Sequence, residues 1–290
     1  MTIRTMTLGL AIAALGTTAF AFDMGGLKTK VLYGLEGPSQ ARDISNKVLG
    51  DTALSEEGIA ELAGRNLRTR FWTINDKGIV PIHDHANRPA VFTVLSGQIY
   101  EYTSTAEDRV LHDTGGLALE EGELAHWWLN ESEETVHLIA FDVYAPNNAS
   151  TEVAPVPAGI DVKLPDDQGV EHALLGAVNI GTHFGDGTGE GWVLSTYRTT
   201  IEPGGNFASF TAPGEPIQSF VWEGEVTEYS VSDPKVLATR SGSTVAGGAQ
   251  AWWENTGDVP AVIYFGVVEP ASEVEGVERV GPLAHGSHGG

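Results

Sequence analysis

The strongest constraint on the fold is an internal repeat. Residues 97–130 and residues 224–255 share the pattern Gly-x-x-x-Glu-Tyr, then Val-Leu, then Trp-Trp-x-Asn. Upstream of these segments, residues 74–97 align with residues 201–224 without a gap. Self-similarity over this length indicates two successive copies of one structural unit. A chain of 290 residues has room for two domains of this size.

Both copies have the sequence pattern of β-structure. In the first copy, short runs of alternating apolar and polar side chains are separated by Gly, Pro, Asn and Asp, and these runs are 90–95, 98–103, 109–112 and 135–143. Such spacing is typical of all-β sandwiches and barrels. One short helix is expected over 55–64, where Ser55 is a candidate N-cap and Gly64 a candidate end.

The composition excludes several classes of protein. With 39 acidic and 16 basic side chains the chain has a formal charge of −23, which argues against binding to nucleic acid because phosphate would be repelled. The chain contains no cysteine, so thiolate nucleophiles, thiolate metal sites, iron–sulfur clusters and disulfides are excluded. Hydrophobic residues make up 41% of the chain, which is enough for packed cores.

The first 21 residues have the pattern of an export signal. Arg4 precedes an apolar run over 7–16, and Ala-Phe-Ala at 19–21 is a small-residue cleavage pattern. The apolar run is too short to span a bilayer. We therefore expect cleavage after residue 21 and a periplasmic or secreted protein without membrane contact. The alternative is an uncleaved N-terminal anchor.

Two groups of residues in the first copy have the spacing of known motifs. They are Gly78 to His83-x-His85 to Gly97, and His126-x-x-x-Asn130. These groups resemble the two motifs of the cupin superfamily, and the surrounding string is similar to small bacterial cupins of the quercetin-dioxygenase-like kind. The resemblance covers residues 67–145 and extends in weaker form to about residue 270. It implies an all-β fold with two tandem cupin barrels, each a double-stranded β-helix or jelly roll.

The repeat and the resemblance together predict a domain organisation. A Pro-rich stretch over 145–165 indicates a connection between the two barrels. The expected segments are a signal peptide 1–21, an N-terminal segment 22–66 packing on the barrels, a metal-binding cupin domain 67–145, a linker 146–189, a degenerate cupin domain 190–272 and a flexible tail 273–290.

Three histidines are candidate ligands of one divalent metal ion. On a strand, His83 and His85 point to the same side, and His126 from a facing strand can complete the set. The glutamate ligand of the cupin motif would fall at Ala90, so only the three-His part is carried over. Neutral imidazoles suit Fe, Mn, Zn, Ni or Cu, and three protein ligands leave open positions for substrate.

The second copy provides an internal control for this assignment. It keeps Trp-Trp-x-Asn but has no histidine at the aligned ligand positions, which are Phe210, Ala212 and Ala251. Such a joint difference is expected if the three histidines form one site that the second copy lacks. The alternative is that they are ordinary polar histidines on a half-exposed strand.

Three further residues are candidate catalytic or substrate-contacting groups. Glu101 could replace the missing fourth ligand or act as a base, but its recurrence as Glu228 favours a structural hydrogen bond. His112 could support the metal ligands, carry protons or lie at the surface. Arg88, which becomes Glu215 in the second copy, could bind an anionic substrate group or form a loop salt bridge.

The function expected from the resemblance is that of a metal-dependent oxidoreductase. The simplest form is a dioxygenase that acts on a small anionic or enolisable organic substrate. Two alternatives stay open, namely a Lewis-acid hydrolase, isomerase or lyase at the same site, and a non-enzymatic periplasmic protein that binds a small molecule or metal. In each case the expected partner is a small molecule, and the protein is expected to be a monomer or homodimer.

Overall fold

The structure is a computed structural model that describes residues 26–54, 59–146, 164–181, 184, 189–210, 215–230 and 233–274. Two antiparallel sheets, one for each copy of the repeat, contain most of the strands. A hairpin, β1 (Thr29–Leu32) and β2 (Leu35–Pro38), precedes them. The strands of the first sheet are β3 (Arg42–Ala53), β4 (Asn66–Ser96), β5 (Gln98–Thr103), β6 (Val110–Asp113), β7 (Leu117–Leu129) and β8 (Val136–Tyr144).

The second sheet begins after the connecting segment. Its strands are β9 (Gln168–Asn179), β10 (Trp192–Phe210), β11 (Ile217–Glu223), β12 (Glu225–Tyr229), β13 (Lys235–Ala238), β14 (Gly242–Val245), β15 (Gln250–Glu254) and β16 (Ala261–Pro270).

Both sheets close in the same way. In the first sheet β8 pairs with residues 66–74 and again with residues 90–96 of the long strand β4, so that β4 curls around it. In the second sheet β16 pairs with β10 on one side and β11 on the other. The tight turns after β4 and β11 each contain a glycine in the left-handed region, Gly97 (φ 81°) and Gly224 (φ 72°). The prediction of two tandem β-barrels is confirmed.

The Trp-Trp pairs divide their side chains between inside and outside. Trp128 and Trp253, the second members of the pairs, are buried in the interior clusters of the first and second barrel. The first member in the first barrel, Trp127, stacks on Tyr102 with ring centroids 3.9 Å apart, and its counterpart stacks on Tyr229. Because successive strand residues point to opposite faces, one tryptophan of each pair packs in the core of its barrel and the other packs on the outer face of the sheet.

The two barrels pack against each other through an apolar cluster. The Phe71 and Phe220 rings stack with centroids 5.3 Å apart, and the amide of Gln218 donates a hydrogen bond to the Leu67 carbonyl at 2.7 Å. A Cβ at Gly266 would lie 2.1 Å from the Phe141 ring, so only glycine permits this approach. The same cluster includes other buried side chains of both sheets.

The N-terminal hairpin covers the outer face of the first barrel. Leu27, Leu32 and Leu35 pack against a buried cluster that contains Ile82 and Trp127. A Cβ at position 37 of β2 would lie 2.5 Å from the Trp127 ring, so the glycine there allows the close contact. The hairpin therefore lies on the first barrel, whereas β3 in the same segment pairs with β4 and is a strand of the first sheet itself.

Two regions differ in detail from the sequence expectation. Within the expected helix 55–64, Ala60–Leu62 form a single turn of 3₁₀ helix, and residues 55–58 lie outside the described residues. Strand β9 pairs with β10, so the second sheet extends into the segment expected to be a linker over 146–189. The expected signal peptide lies outside the described residues, as does most of the expected tail. Within the described ranges, no helix has the length and apolarity needed to cross a bilayer.

Candidate metal centre

Four metal-ligating side chains converge inside the first barrel. One donor atom each from His83, His85, Glu120 and His126 lies within 4.8 Å of the others. The side chains of His85, Glu120 and His126 are buried, and His83 is half-buried at the mouth. The structure thus brings together the three predicted histidines and adds a carboxylate.

The pairing of β4 with β7 places these groups. His83 lies opposite His126 in the ladder, and Glu120 lies opposite Ala90. Between Val80 and His83 the register shifts, because three steps along β4 match two steps along β7. Pro81 falls in this bulge, where a residue without an N–H can be accommodated.

Each histidine uses its Nδ1 atom for a hydrogen bond to a group that can only accept. The acceptors are the Pro81 carbonyl for His83 at 2.8 Å, the Arg88 carbonyl for His85 at 2.7 Å and Oε1 of Glu101 for His126 at 2.6 Å. Nδ1 must therefore be the protonated nitrogen, and Nε2 has the free lone pair. Such outer acceptors are typical of histidines that bind metals.

The inward-facing ligand atoms of the cluster lie very close together. Nε2 of His83 and Nε2 of His126 are 3.1 Å apart, and Nε2 of His85 is 2.9 Å from Oε2 of Glu120. Neither carboxylate oxygen of Glu120 accepts a hydrogen bond from any described residue. The Nε2 atoms of His83 and His126 thus face each other with no donor between them, and a set of imidazoles and a carboxylate of this kind fits a metal ion.

Burial has opposite effects on the acid and the bases of the cluster. It raises the pKa of Glu120 to about 8, lowers the pKa of His85 to about 3 and holds the pKa of His83 well below its ordinary value. Both effects disfavour charge in a dry interior. The imidazoles of His83 and His85 are therefore neutral, as ligands must be, and an ionised Glu120 requires a compensating cation.

Glu101 supports the cluster and is not one of its four donors. Its Oε1 accepts from Nδ1 of His126 at 2.6 Å, and its Oε2 accepts from Nε2 of His112 at 2.9 Å. Burial would raise the pKa of Glu101, but hydrogen bonds from His112 and His126 outweigh it and lower that pKa to about 2. Glu101 thus stays ionised and fixes the tautomer of a ligand. His112 lies beside the cluster, with its ring 5.0 Å from Trp128.

The equivalent glutamate of the second barrel, Glu228, has different hydrogen-bond partners. Glu228 is buried and accepts from Oγ of Ser243 at 2.8 Å and from Nε1 of Trp253 at 3.0 Å. The structural hydrogen bond favoured by the sequence is therefore present in the second barrel, whereas in the first barrel the equivalent carboxylate serves two histidines.

A group of arginines borders the cluster. Nη2 of Arg88 lies 3.3 Å from Nε2 of His85, and Nη1 of Arg88 lies 3.9 Å from the buried carboxylate of Asp142. Asp142 also pairs with Arg68 at 2.6 Å and with Arg70 at 3.0 Å. Burial lowers the pKa of Arg70 to about 10, so its guanidinium is still charged near neutral pH. Arg88 is part of a partly buried group of arginines around Asp142 and not only of a loop.

The sequence reading missed Glu120, although a signal for it was present. Counting back from the Trp-Trp pairs places Val245 in the second copy where the first has Glu120. The ladder supports this equivalence, because Val245 pairs with Ile217 as Glu120 pairs with Ala90. An acidic residue and three histidines are thus replaced together.

The second barrel also corrects one assignment made from the ungapped alignment. Its ladder has no bulge at the equivalent point, and Ser209, not Phe210, lies opposite Ala251. Ser209 is therefore the register equivalent of His83. Ala212 lies outside the described residues, and Ala251 is buried.

Comparison with known proteins agrees with this architecture. The family model described as Cupin matches residues 60–164, while no curated protein sequence matches the chain. Procruciferin, an 11S globulin from Brassica napus, superposes with a TM-score of 0.50 and 10% identity, covering 80% of this chain and 84% of its own.

Two enzymes superpose with lower TM-scores. Salicylate 1,2-dioxygenase from Pseudaminobacter salicylatoxidans has a TM-score of 0.47 and 11% identity, with 69% of this chain and 70% of its own covered. An oxalate decarboxylase variant from Bacillus subtilis has a TM-score of 0.48 and 14% identity, with 80% and 78% covered. The family match shows that residues 60–164 contain a cupin domain.

Proposed function

We propose that the protein is a metal-dependent oxidoreductase of the dioxygenase type that acts on a small organic anion. The observation that supports this proposal is the convergence of the ligand atoms of His83, His85, Glu120 and His126, in which Nε2 of His83 and Nε2 of His126 lie 3.1 Å apart. The donor set contains imidazole and carboxylate only, which suits Fe(II), Mn(II), Zn(II), Ni(II) or Cu(II). When bound there, a divalent ion would supply open coordination positions and Lewis-acid or redox chemistry.

The charge around the cluster favours an anionic substrate. Arg88 and Arg70 both act electrostatically on His85 and Glu120, so their positive charge reaches the interior of the site. Arg70 also has a buried Nε without a hydrogen-bond partner in the described structure. Guanidinium groups bind carboxylates and enolates through charge-assisted hydrogen bonds. We therefore assign Arg88, with Arg70 behind it, to substrate binding.

Other side chains hold the ligands and exclude water. Glu101 keeps a proton on Nδ1 of His126, and His112 donates to the second oxygen of Glu101. The rings of Phe92 and Trp128 stack with centroids 5.9 Å apart inside the same barrel. This apolar wall strengthens electrostatic interactions at the site because it lowers the local dielectric.

Oxygen uptake is the direct test of the proposal. The full chain is loaded anaerobically with Fe(II), and in parallel with Mn(II) or Zn(II), and is then mixed with a panel of small hydroxy- and keto-carboxylates. The corresponding amides serve as neutral controls. We expect oxygen consumption that matches the amount of carboxylate substrate consumed, and no reaction with the corresponding amide. Arg88→Gln should raise the KM of the substrate about tenfold or more, since one charged contact contributes roughly 1.5–3 kcal/mol.

Two results would contradict the proposal and identify its alternatives. Equal turnover without oxygen would indicate a Lewis-acid enzyme. Retention of metal without turnover of any member of the panel would indicate a binding protein. We also propose export to the periplasm or medium, which N-terminal sequencing of the native protein tests: a mature chain that begins near residue 22 is expected.

A further inference from the structure

The second barrel contains a cleft of its own. It has a volume of about 220 Å³, and its lining includes Ser209 and Ile217, the register equivalents of His83 and Ala90. The cleft therefore lies where the first barrel has its metal cluster. For comparison, an apolar cavity of about 150 Å³ accommodates benzene in another protein. The available space fits a small organic molecule.

Aromatic side chains form one wall of this cleft. The ring of His172 stacks on Tyr197 with centroids 4.8 Å apart and on Phe207 with centroids 4.5 Å apart. All three residues line the cleft. Burial lowers the pKa of His172, so its ring is neutral near neutral pH and adds no positive charge.

Carboxylates form the rest of the polar lining. Glu215, Glu269 and Glu273 border the cleft, and none of its described lining residues is Lys or Arg. The Tyr197 hydroxyl donates to Oε1 of Glu269 at 2.6 Å, which holds this carboxylate beside the aromatic wall. Burial and this contact raise the pKa of Tyr197, so the hydroxyl remains a donor.

The side chains that line the cleft of the second barrel differ in charge from the arginine group at the same place in the first barrel. Strand register makes Tyr197 the equivalent of Arg70 and Val267 the equivalent of Asp142. The ungapped repeat makes Glu215 the equivalent of Arg88. The cationic group beside the metal cluster has thus become an acidic and aromatic lining at the same place in the fold. Removal of a metal site alone does not require this reversal, because neutral residues would fill the space equally well.

We propose that the cleft of the second barrel binds a small organic ammonium ion that carries an aromatic or alkyl group. The ammonium is held by Glu269 and its neighbouring carboxylates, and the apolar part packs on Phe207 and Tyr197. Aromatic faces attract cations, and carboxylates supply the counter-charge. This site does not depend on metal binding or catalysis in the first barrel.

The test is calorimetric titration of the full chain with benzylammonium and with benzoate, two probes of equal size and opposite charge. The metal-free protein is used, so that benzoate cannot bind to a metal ion, and the two probes are compared in the Arg88→Gln background, so that benzoate cannot bind to that arginine of the first barrel. We expect binding of benzylammonium and at least tenfold weaker binding of benzoate in the second barrel. Glu269→Gln, which keeps an acceptor for Tyr197, and Phe207→Ala should each weaken benzylammonium binding about fivefold or more.

Control variants distinguish the cleft from the general acidity of the chain. Glu225→Gln removes one charge from an exposed position of the second barrel and should leave the affinity unchanged. Thermal unfolding shows whether each variant is folded. Absence of benzylammonium binding to the wild type, equal affinity for both probes, or equal losses in Glu225→Gln and Glu269→Gln would overturn the proposal.

Discussion

Glu120 on β7 lies directly opposite Ala90 on β4, and its carboxylate reaches the point where the three histidines meet. The cupin motif has its glutamate at the position of Ala90. In this chain the carboxylate comes from the neighbouring strand, and the small side chain of Ala90 leaves space for it. The cluster therefore contains three imidazoles and one carboxylate although position 90 is occupied by alanine.

Replacement of Glu120 by Gln should have opposite effects on metal binding and on the stability of the metal-free protein. Loss of a charged ligand should weaken binding of Zn(II) by about a hundredfold or more, since loss of an outer partner alone costs about 10- to 100-fold. The metal-free variant should have a higher Tm, because a neutral amide replaces a buried carboxyl group whose ionised form is disfavoured by burial. Calorimetric titration and thermal unfolding measure the two effects.

Glu123→Gln is the matched control for this experiment. Glu123 is on the same strand and is exposed, so neither metal affinity nor Tm should change much. Unaltered metal affinity in Glu120→Gln would show that the carboxylate is not a ligand.

Substitution of a histidine ligand should affect metal binding and not folding. We expect His83→Ala or His126→Ala to abolish metal retention during purification and to leave the protein folded, because a large β-core tolerates one interior truncation. His172→Ala in the second barrel serves as the control. Elemental analysis of the purified variants measures the metal, and one equivalent in either ligand variant would contradict the assignment.

Glu101 and Glu228 allow the same substitution to be compared in the two barrels. Glu101→Gln should weaken metal binding about 10- to 100-fold, because His126 loses the ionised acceptor that fixes its tautomer. Glu228→Gln should lower the free energy of unfolding through its contacts with Ser243 and Trp253, and it should not alter metal affinity. Equal effects of the two variants on metal affinity would mean that Glu101 has only a structural role.

The buried carboxylate of Asp142 should make stability depend on pH. Burial alone would raise the pKa of Asp142, but the guanidinium groups of Arg70 and Arg68 outweigh it and hold that pKa below its ordinary value. Because the folded pKa is lower than the unfolded value of about 4, the stabilisation is fully present above about pH 4 and is lost as the pH falls toward the folded pKa.

Asp142→Asn should therefore lower the free energy of unfolding by about 3–5 kcal/mol at pH 7, since it leaves buried arginines unpaired. The difference from the wild type should narrow below about pH 4. Urea denaturation of the metal-free protein between pH 3 and pH 7 measures this, with exposed Asp113→Asn as the control. A difference that is constant over this range would exclude the ion pairs as its cause.

A metal site can be designed into the second barrel from the strand register. The variant with Ser209→His, Ile217→Ala, Val245→Glu and Ala251→His places two imidazoles and a carboxylate at the equivalent positions. Glu228 is already present to accept from the new histidine at 251. We expect a second, weaker equivalent of Zn(II) by calorimetric titration.

The control for this design replaces Phe210 instead of Ser209. A histidine at 210 is one residue out of register with Ala251, so this variant should bind only one equivalent. Two equivalents in both designs would show that the register does not decide where ligands meet.

The sequence predicted the features that depend on local pattern. The spacing of His83 and His85, the Trp-Trp pairs and the repeated glycines are properties of single strands and turns, and they led to two β-barrels and three of the four candidate ligands. Glu120 was missed because its relation to Ala90 is a contact between strands. Such a contact is not visible at any fixed spacing along the chain.

The connection between the barrels contains a strand, β9, that the local sequence pattern did not indicate. Strand β9 is rich in Ala and Gly, which have low intrinsic strand propensity. At Gly176 an added Cβ would lie 3.0 Å from Leu119 of the first barrel, so contacts with the other barrel contribute to its conformation. Tertiary packing of this kind overrides local preference.

The bulge at Pro81 affects how metal sites are recognised and lost in related sequences. It shifts β4 by one residue and thereby brings His83 opposite His126, and the Pro81 carbonyl accepts a hydrogen bond from Nδ1 of His83. A substitution that lets this strand straighten would displace His83 from the site while all four ligand residues remain in the sequence. Relatives that keep the histidine motif but lack the proline should therefore include natural metal-free barrels, which a search for ligand residues alone would count as metalloproteins.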